Sequence, residues 1–262
     1  MRATRFLRER AAVVVCAMAA KYDTIGVTYA NLRQPDPRIA RQIEGALGSA
    51  RTVLNVGAGA GSYEPAGLEV TALEPSAQMI RQRPEGSAPC IKGVAEDLPF
   101  ADKSFDASMA ILTVHHWADK AKGLAEMRRV TTGPVVLLTF DPFEQDFWLC
   151  DYIPALSELD KTLFPAVGEH ERWMGQIQIT SVPIPDDCTD GFLGAYWRRP
   201  FAYLDPEVRA SISSFWAIPD VSGALQRLKN DLESGVWAKK YPALEALSEL
   251  DIGYRLVVSE DG

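Results

Sequence analysis

Residues 53–64 read VLNVGAGAGSYE and carry the strongest structural signal in the chain. An apolar run at 52–56, typical of a buried strand, is followed by three glycines at alternate positions. Glycine is favoured where the backbone turns tightly or where a ligand approaches the backbone without a Cβ in the way. The stretch therefore predicts a strand followed by a ligand-binding loop, with a turn that serves packing alone as the alternative.

An acidic residue, Glu74, stands 17 residues after Gly57, at the end of a second predicted strand. A carboxylate at this place can accept hydrogen bonds from both hydroxyls of a ribose. It could instead lie at the N-terminus of the following helix, where the helix dipole favours negative charge. Together with the glycine loop, the spacing favours ribose binding.

The spacing of the glycines distinguishes two classes of cofactor. A dinucleotide site is typically G-x-G-x-x-G, with a pyrophosphate at the helix N-terminus. Here the third glycine comes one residue early and Ser62 takes its usual place. The pattern favours a ligand with a ribose and an amino-acid tail. An NAD(P)-dependent oxidoreductase is the alternative enzyme class, and a cofactor-binding protein without turnover is the alternative outside enzymes.

Outward from this stretch, short β-rich segments alternate with helical ones, so the sequence predicts a mostly parallel sheet with helices on both faces. The predicted strands are 52–56, 69–73, 90–95, 105–112 and 135–140, and the predicted helices are 76–83, starting from Ser76 as N-cap, and 119–130. Further on, strands at 177–185 and 252–259 flank a helical region at 205–247. These two late strands predict an antiparallel hairpin at one edge of the sheet.

Four motifs in this order resemble the class I S-adenosylmethionine-dependent methyltransferases, with a type 11-like methyltransferase domain, over roughly residues 20–141. They are VLNVGAGAG (53–61), ALEPS (72–76), GVAEDLPFADKSFD (93–106) and ILTVHHW (111–117). The resemblance implies an α/β fold, a Rossmann-like three-layer sandwich with a seven-stranded, mainly parallel sheet. It also implies an antiparallel C-terminal hairpin and a helical cap insertion.

The resemblance further implies that S-adenosyl-L-methionine is the cofactor and that a methyl group passes to a small-molecule acceptor. The glycine loop would lie under the methionyl and ribose parts of the cofactor, with Glu74 on the ribose and Ile111 beside the methionyl group. The loop residues so implied are Gly57, Ala58, Gly59 and Gly61. The residues implied around the adenine are Pro75, Met79, Ala95 and Glu96.

A segment before the first strand, 21–37, resembles the lid that closes over the cofactor in this family. It carries Tyr22, Tyr29 and Arg33, and an arginine can bind a carboxylate through two hydrogen bonds. The alternative is an amphipathic helix with an exposed arginine. Two positions depart from the family pattern, since Asn55 and Val94 stand where many relatives carry an acid.

Few side chains could serve as reactive groups, because the chain has only three histidines and four cysteines. A methyl group that arrives on a cofactor needs mainly positioning, with a general base only if the acceptor carries a proton. His116 is the candidate base, and a role in shaping the pocket is the alternative. The sequence predicts an acceptor pocket formed by Tyr196, Trp197, Arg198 and Arg199. The alternative is a small packed cluster of the aromatic side chains, with the two arginines in solvent.

The net charge of −8 argues against nucleic-acid binding, and the spacing of the cysteines and histidines predicts no metal site. We expect a cytoplasmic protein that acts as a monomer or homodimer without a membrane partner. The predicted organisation is an extension at 1–20, a cofactor-binding core at 21–141, and a cap with the last strands at 142–262 in the same domain. The extension resembles a signal peptide, but an upstream start codon or an extra helix is favoured.

Overall fold

The computed structural model describes residues 32–143 and 147–259. The strands in these ranges are β1 (Thr52–Val56), β2 (Glu69–Glu74), β3 (Cys90–Lys92), β4 (Ala107–Ile111), β5 (Val135–Phe140), β6 (Ile177–Ser181), β7 (Ile184–Pro185), β8 (Glu249–Leu250) and β9 (Tyr254–Ser259). Seven of them form one sheet in the order β3-β2-β1-β4-β5-β9-β6. β1 to β5 are parallel, whereas β9 is antiparallel to both of its neighbours.

The helices in the same ranges lie on both sides of this sheet and in the region after β5. They are α1 (Pro37–Ala46), α2 (Ala77–Arg81), α3 (Lys120–Val130), α4 (Leu149–Tyr152), α5 (Pro154–Leu163), α6 (Glu171–Met174), α7 (Pro206–Ala210), α8 (Ser214–Ala217), α9 (Ser222–Glu233) and α10 (Val236–Lys240). α2 begins at Ser76, whose hydroxyl accepts from the Met79 N–H, as the sequence predicts. None of these helices combines the length and the apolar character that crossing a membrane requires.

Successive residues of the central strands point to opposite faces of the sheet, and both faces are buried. In β5, Val136 and Leu138 join a cluster that includes α1, while Val135 and Leu137 join a second cluster that includes α3. A strand that is buried on both faces reads as a continuous apolar run, which is the pattern of β5. The helix–sheet–helix arrangement confirms the predicted α/β, Rossmann-like three-layer sandwich.

Two segments that the sequence predicts as single elements are divided in the structure. The strand predicted at 177–185 is divided into β6 and β7, because Pro183 between them has no N–H to donate to a partner strand. β7 leaves the main sheet and pairs with β8 in a separate two-stranded sheet. The helical region predicted at 205–247 is divided into α7 to α10, with Gly235 at a φ of +74° between the last two.

Candidate active site

The glycine loop (57–61) follows β1, and its backbone geometry excludes most side chains. Gly57, Gly59 and Gly61 have φ angles of +71°, +54° and +96°, which favour glycine. A Cβ on Gly57 would overlap the side chain of Thr113, in the segment after β4. The loop therefore presents bare backbone at the carboxyl ends of β1 and β4, where ligands of such sheets bind.

The carboxylate of Glu74 is held at the edge of this loop. The N–H groups of Gly57 and Ala58 donate to the Leu73 carbonyl at 2.8 and 3.1 Å, which brings the end of β2 against the loop. Glu74 Oε2 then accepts from the Gly59 N–H at 2.8 Å, and Oε1 accepts from the Ser76 N–H at 2.9 Å. Glu74 is only 6% exposed, so its position is set by these bonds.

A cavity of about 1310 Å³ lies along the loop and continues under the region after β5. Most of the residues predicted to bind the cofactor line it: Gly57, Ala58, Gly59, Glu74, Pro75, Met79, Ala95, Glu96, Ile111 and Arg33. Gly61 is not in the lining, and its neighbour is the Arg83 guanidinium. Tyr22 and Tyr29 lie outside the described residues.

These residues fit a nucleoside that carries an amino-acid tail. A held carboxylate stands beside the loop, while the buried Met79 and Ala95 offer an apolar slot for a base. A Cβ on Gly59 would stand 3.6 Å from Met79 Cε, so the loop backbone borders the same slot. The fit of the nucleoside therefore depends on the shape of the apolar slot and on the Glu74 carboxylate as a hydrogen-bond acceptor.

Arg33 faces the cavity from the N-terminal side and is held by a buried acid. Its Nε donates to Asp190 Oδ1 at 2.7 Å, and Asp190 is 1% exposed. The Tyr63 hydroxyl, just beyond the glycine loop, donates to Asp190 Oδ2 at 3.0 Å. The Arg33 side chain is 16% exposed, so it is not the exposed arginine of the alternative, whose helix lies largely outside the described residues. That Arg33 binds the cofactor stays a prediction.

Asn55 takes part in a buried polar group that the sequence did not reveal. Its Nδ2 donates to Glu64 Oε1 at 3.2 Å, and Glu64 pairs with Arg83 at 2.7 Å. The Arg83 and Glu64 side chains are 5% and 12% exposed. An acid therefore does lie beside Asn55, supplied from nine residues further along the chain. Nothing in the local sequence pattern around Glu64 marked this pairing.

The histidine pair lies in the segment after β4, between the two ends of the cavity. The rings of His115 and His116 lie 3.8 Å apart, and both residues line the cavity. Burial, together with the Lys120 ammonium, lowers the pKa of His116 to about 4. An imidazole of that pKa is neutral at pH 7 but is a weak proton acceptor. The low pKa favours the pocket-shaping alternative for His116, and its role as a base stays a prediction.

The residues of the acceptor pocket predicted at 196–199 are held by packing and hydrogen bonds, and their role in binding an acceptor stays a prediction. Trp197 is fully buried and its indole N–H donates to the Ile184 carbonyl at 2.8 Å. Arg198 pairs with Asp186, and Arg199 donates to the carbonyls of Cys188 and Ala195. None of these three, nor Tyr196, lines this cavity, although Arg198 and Arg199 line a separate pocket of about 440 Å³. Tyr196 and Trp197 belong to the main core, and the hydrogen bonds of the two arginines hold the chain between β7 and α7 in place.

The end of the cavity away from the glycine loop is built by residues that sequence reasoning missed. An aromatic wall is formed there by His115, Phe164, Phe140, Tyr254 and Phe192, in which neighbouring ring centroids are 4.2 to 5.5 Å apart. Asp160 on α5 lies in the same lining and is 3% exposed. Apart from His115, which lies in the motif at 111–117, none of these positions belongs to a local motif, so no sequence signal marked them as part of an acceptor site.

Among residues 32–143 and 147–259, no cluster of three or more His, Cys, Asp or Glu side chains is arranged to hold a metal ion.

Comparison with known proteins agrees with the fold and the loop. The sequence model of the family described as "Methyltransferase domain" matches residues 54–138. The chain is 37% identical to a protein of Anabaena variabilis described as a methyltransferase from an antibiotic biosynthesis pathway. That match covers 87% of this chain and 98% of the other, with a TM-score of 0.81. A methyltransferase of Thermotoga maritima, 15% identical with a TM-score of 0.53, shares the fold.

A curated relative, a demethylmenaquinone methyltransferase of Renibacterium salmoninarum, is 38% identical over 122 residues, which cover 40% of this chain. The chain spans about half the length of the curated relatives it matches, 51% and 42% for the first two. The fold and the site thus define an α/β enzyme that binds a nucleoside cofactor at the carboxyl ends of its parallel strands. The chain belongs to the S-adenosylmethionine-dependent methyltransferase family, and S-adenosylmethionine is the cofactor of that family.

Proposed function

We propose that this chain transfers the methyl group of S-adenosylmethionine to a small-molecule acceptor by in-line displacement. The observation that carries the proposal is one continuous cavity, with the glycine loop and Glu74 at one end and the aromatic wall at the other. Single-ligand sites are typically about 300–1,000 Å³, and this cavity of about 1310 Å³ exceeds that range. Its size supports simultaneous binding of cofactor and acceptor.

In this proposal the protein acts by positioning and by excluding water. The bound cofactor supplies an electrophilic methyl group on a sulfonium. The glycine loop and Glu74 hold the nucleoside, and the aromatic wall orients the acceptor and removes water from it. Correct orientation of two reactants lowers a barrier by roughly 7–11 kcal/mol. The weak basicity of His116 agrees with a reaction in which positioning dominates.

We propose that the region 142–262 forms the cap over the acceptor, since α5 and the residues around Ile212 contribute to the cavity wall.

We also propose a cytoplasmic location, because Cys90, Cys150 and Cys188 form no disulfide in the described ranges and reducing compartments keep thiols in that state. The protein is proposed to act as a monomer or homodimer, which light scattering after gel filtration would measure.

The ribose assignment is tested by the Glu74→Gln variant. Loss of the negative charge removes hydrogen bonds to a charged acceptor, at roughly 1.5–3 kcal/mol each. We expect calorimetry to show S-adenosylhomocysteine binding at least tenfold weaker than in the wild type.

The matched control is Glu69→Gln, at the exposed opposite end of the same strand β2. It is expected to bind S-adenosylhomocysteine as the wild type does. Equal affinity in E74Q and the wild type would contradict the ribose assignment. Methyl transfer itself is then measured by release of S-adenosylhomocysteine with a panel of aromatic hydroxyl, amine, thiol and quinol acceptors.

A further inference from the structure

Asp160 is the buried acidic group whose presence the fold does not explain. It lies on α5, is 3% exposed and lines the cavity. Its Oδ2 has no hydrogen-bond partner in the part of the chain that the structure describes. Its backbone carbonyl is occupied, since it accepts from the Phe164 N–H at 2.8 Å. An unpaired buried polar group costs free energy, so its retention points to a ligand that supplies the missing partner.

The surroundings of Asp160 offer no such partner of their own. No described basic side chain forms an ion pair with it, although Lys161 is its neighbour in sequence. The Tyr254 hydroxyl, on the same wall, already accepts from the Gly194 N–H at 3.2 Å. Burial raises the pKa of both Tyr254 and Cys150, and Asp160 contributes to the rise in each, so both groups are neutral at pH 7.

A row of packed rings connects the segment around Asp160 to the cofactor end of the cavity. Phe164, one helical turn after Asp160, lies 4.2 Å from the His115 ring, centroid to centroid. His115 belongs to the segment after β4 that borders the glycine loop through Thr113. The carboxyl and the glycine loop therefore line one cavity rather than two.

We propose that the Asp160 carboxyl binds a hydroxyl or amino group of the methyl acceptor, and that the body of this acceptor is apolar or aromatic. The proposal rests on the function proposed above, since it describes the acceptor end of the same site. A hydroxyl or amino group supplies the hydrogen-bond donor that Oδ2 lacks. The rings of Phe140, Phe164 and Phe192 supply an apolar surface for the rest of the molecule, with one polar group at a fixed place.

The test uses three probes of nearly equal shape: p-cresol, p-toluidine and p-xylene. They differ in carrying a hydroxyl, an amino or a methyl group at one position. Binding is measured by ligand-observed NMR on the full chain saturated with S-adenosylhomocysteine. We expect wild-type protein to bind p-cresol or p-toluidine at least tenfold more tightly than p-xylene, because supplying a partner to a buried oxygen that lacks one is worth about that factor or more. The two donor probes show which donor is preferred.

In the Asp160→Leu variant the preference over p-xylene is expected to disappear, with p-xylene bound at least as well as before. The matched control is Glu158→Gln, an exposed position on the same helix outside the cavity lining, which should retain the wild-type preference. Asp160→Asn keeps one acceptor oxygen and is expected to weaken binding of the donor probes about threefold. If the Asp160→Leu variant does not fold, the probe preference is measured on Asp160→Asn instead.

A wild-type protein without preference for the donor probes, or variants that keep it unchanged, would overturn the assignment of Asp160. Binding of S-adenosylhomocysteine is measured separately in every sample. Its absence from the wild type would overturn the proposed function, whereas normal binding together with unchanged probe preference overturns the role of Asp160 alone.

Discussion

At the scale of single residues, the carboxyl of Asp160 is in a medium that disfavours its charged form. Burial raises its pKa to about 7, from an ordinary value of 3.8. Between these two pH values the folded state binds more protons than the unfolded state, so this group lowers the free energy of unfolding as the pH rises. The decrease in the free energy of unfolding is complete above about pH 7 and is absent below about pH 4.

The Asp160→Leu variant is therefore expected to be more stable than the wild type in the absence of ligand. The difference in unfolding free energy should grow from near pH 4 to above pH 7 and reach a few kcal/mol, at about 1.4 kcal/mol per pH unit of pKa shift. Urea denaturation at pH 4.5, 6 and 8 measures it. The charged or titratable neighbours Cys150 and Tyr254 have raised pKa values and do not titrate in this window.

His115 and His116 titrate with the opposite sign, because burial lowers the pKa of both. Their contribution to stability falls as the pH drops below about 6.5, but it is common to the wild type and the variant and cancels in the difference. A stability difference that does not change with pH would contradict the assigned pKa of Asp160. No residue-scale signal in the sequence marked Asp160, one of 35 acidic residues.

At the scale of elements, α3 carries a glycine where a helix ordinarily excludes one. A Cβ on Gly123 would stand 2.5 Å from Cε3 of Trp117, which lines the cavity. The glycine therefore lets α3 approach the segment after β4. We expect Gly123→Ala to destabilise the protein by about 1–3 kcal/mol through overpacking, despite a helix-propensity gain of up to about 1 kcal/mol. Chemical denaturation measures the change.

Gly45 in α1 is the matched control, because a Cβ there would have no heavy atom within 4 Å. Gly45→Ala gains propensity without a clash and should stabilise the fold by up to about 1 kcal/mol. The explanation fails if the two variants shift stability in the same direction. Intrinsic fluorescence, to which Trp117 contributes as one of six tryptophans, gives a second readout, which is expected to change in the Gly123 variant only.

Elements were predicted where the local pattern and the tertiary environment agree. β1 and β5 match the predicted bounds, since both are buried apolar runs ended by glycine, proline or a polar residue. β3 is shorter than predicted because it lies at the sheet edge and pairs with β2 alone, over three residues. The helices after β5 were not resolved by periodicity, since short helices broken by proline leave no sustained pattern.

At the scale of the whole molecule, a buried polar network ties together three distant segments of the chain. Asp190 binds Arg33, 157 residues away, and Tyr63, 127 residues away. The Asp36 N–H donates to the Tyr63 hydroxyl at 3.3 Å, which extends the network to the start of α1. Burial and the Asp190 carboxylate raise the pKa of Tyr63, so the phenol stays protonated and donates.

Removal of the charge at Asp190 takes away the buried carboxylate that pairs with Arg33. Asp190→Asn is therefore expected to lower the unfolding free energy by about 3 kcal/mol, the order found when one partner of a buried pair is lost. Denaturant unfolding measures it, and protease sensitivity near residue 33 should rise with it.

Asp187→Asn serves as the control, because Asp187 is 75% exposed and pairs with an Arg38 side chain that is 40% exposed. Surface pairs of this kind contribute at most about 1 kcal/mol, so little change is expected. A loss of similar size in the two variants would show that the buried network does not contribute more than a surface pair.

Sequence alone predicted the order of strands and helices from β1 to β5, the glycine loop and the acidic residue at the end of β2. These features depend on neighbours in the chain, namely apolar periodicity, glycine spacing and the position of Glu74. Only the tertiary structure decided which residues meet at the far end of the cavity. Asp160, Phe192 and Tyr254 come from separate segments, and their proximity depends on how the region after β5 folds back onto the sheet. Long-range packing of this kind leaves no local pattern, whereas the spacing of the glycines marks the cofactor loop in the sequence itself.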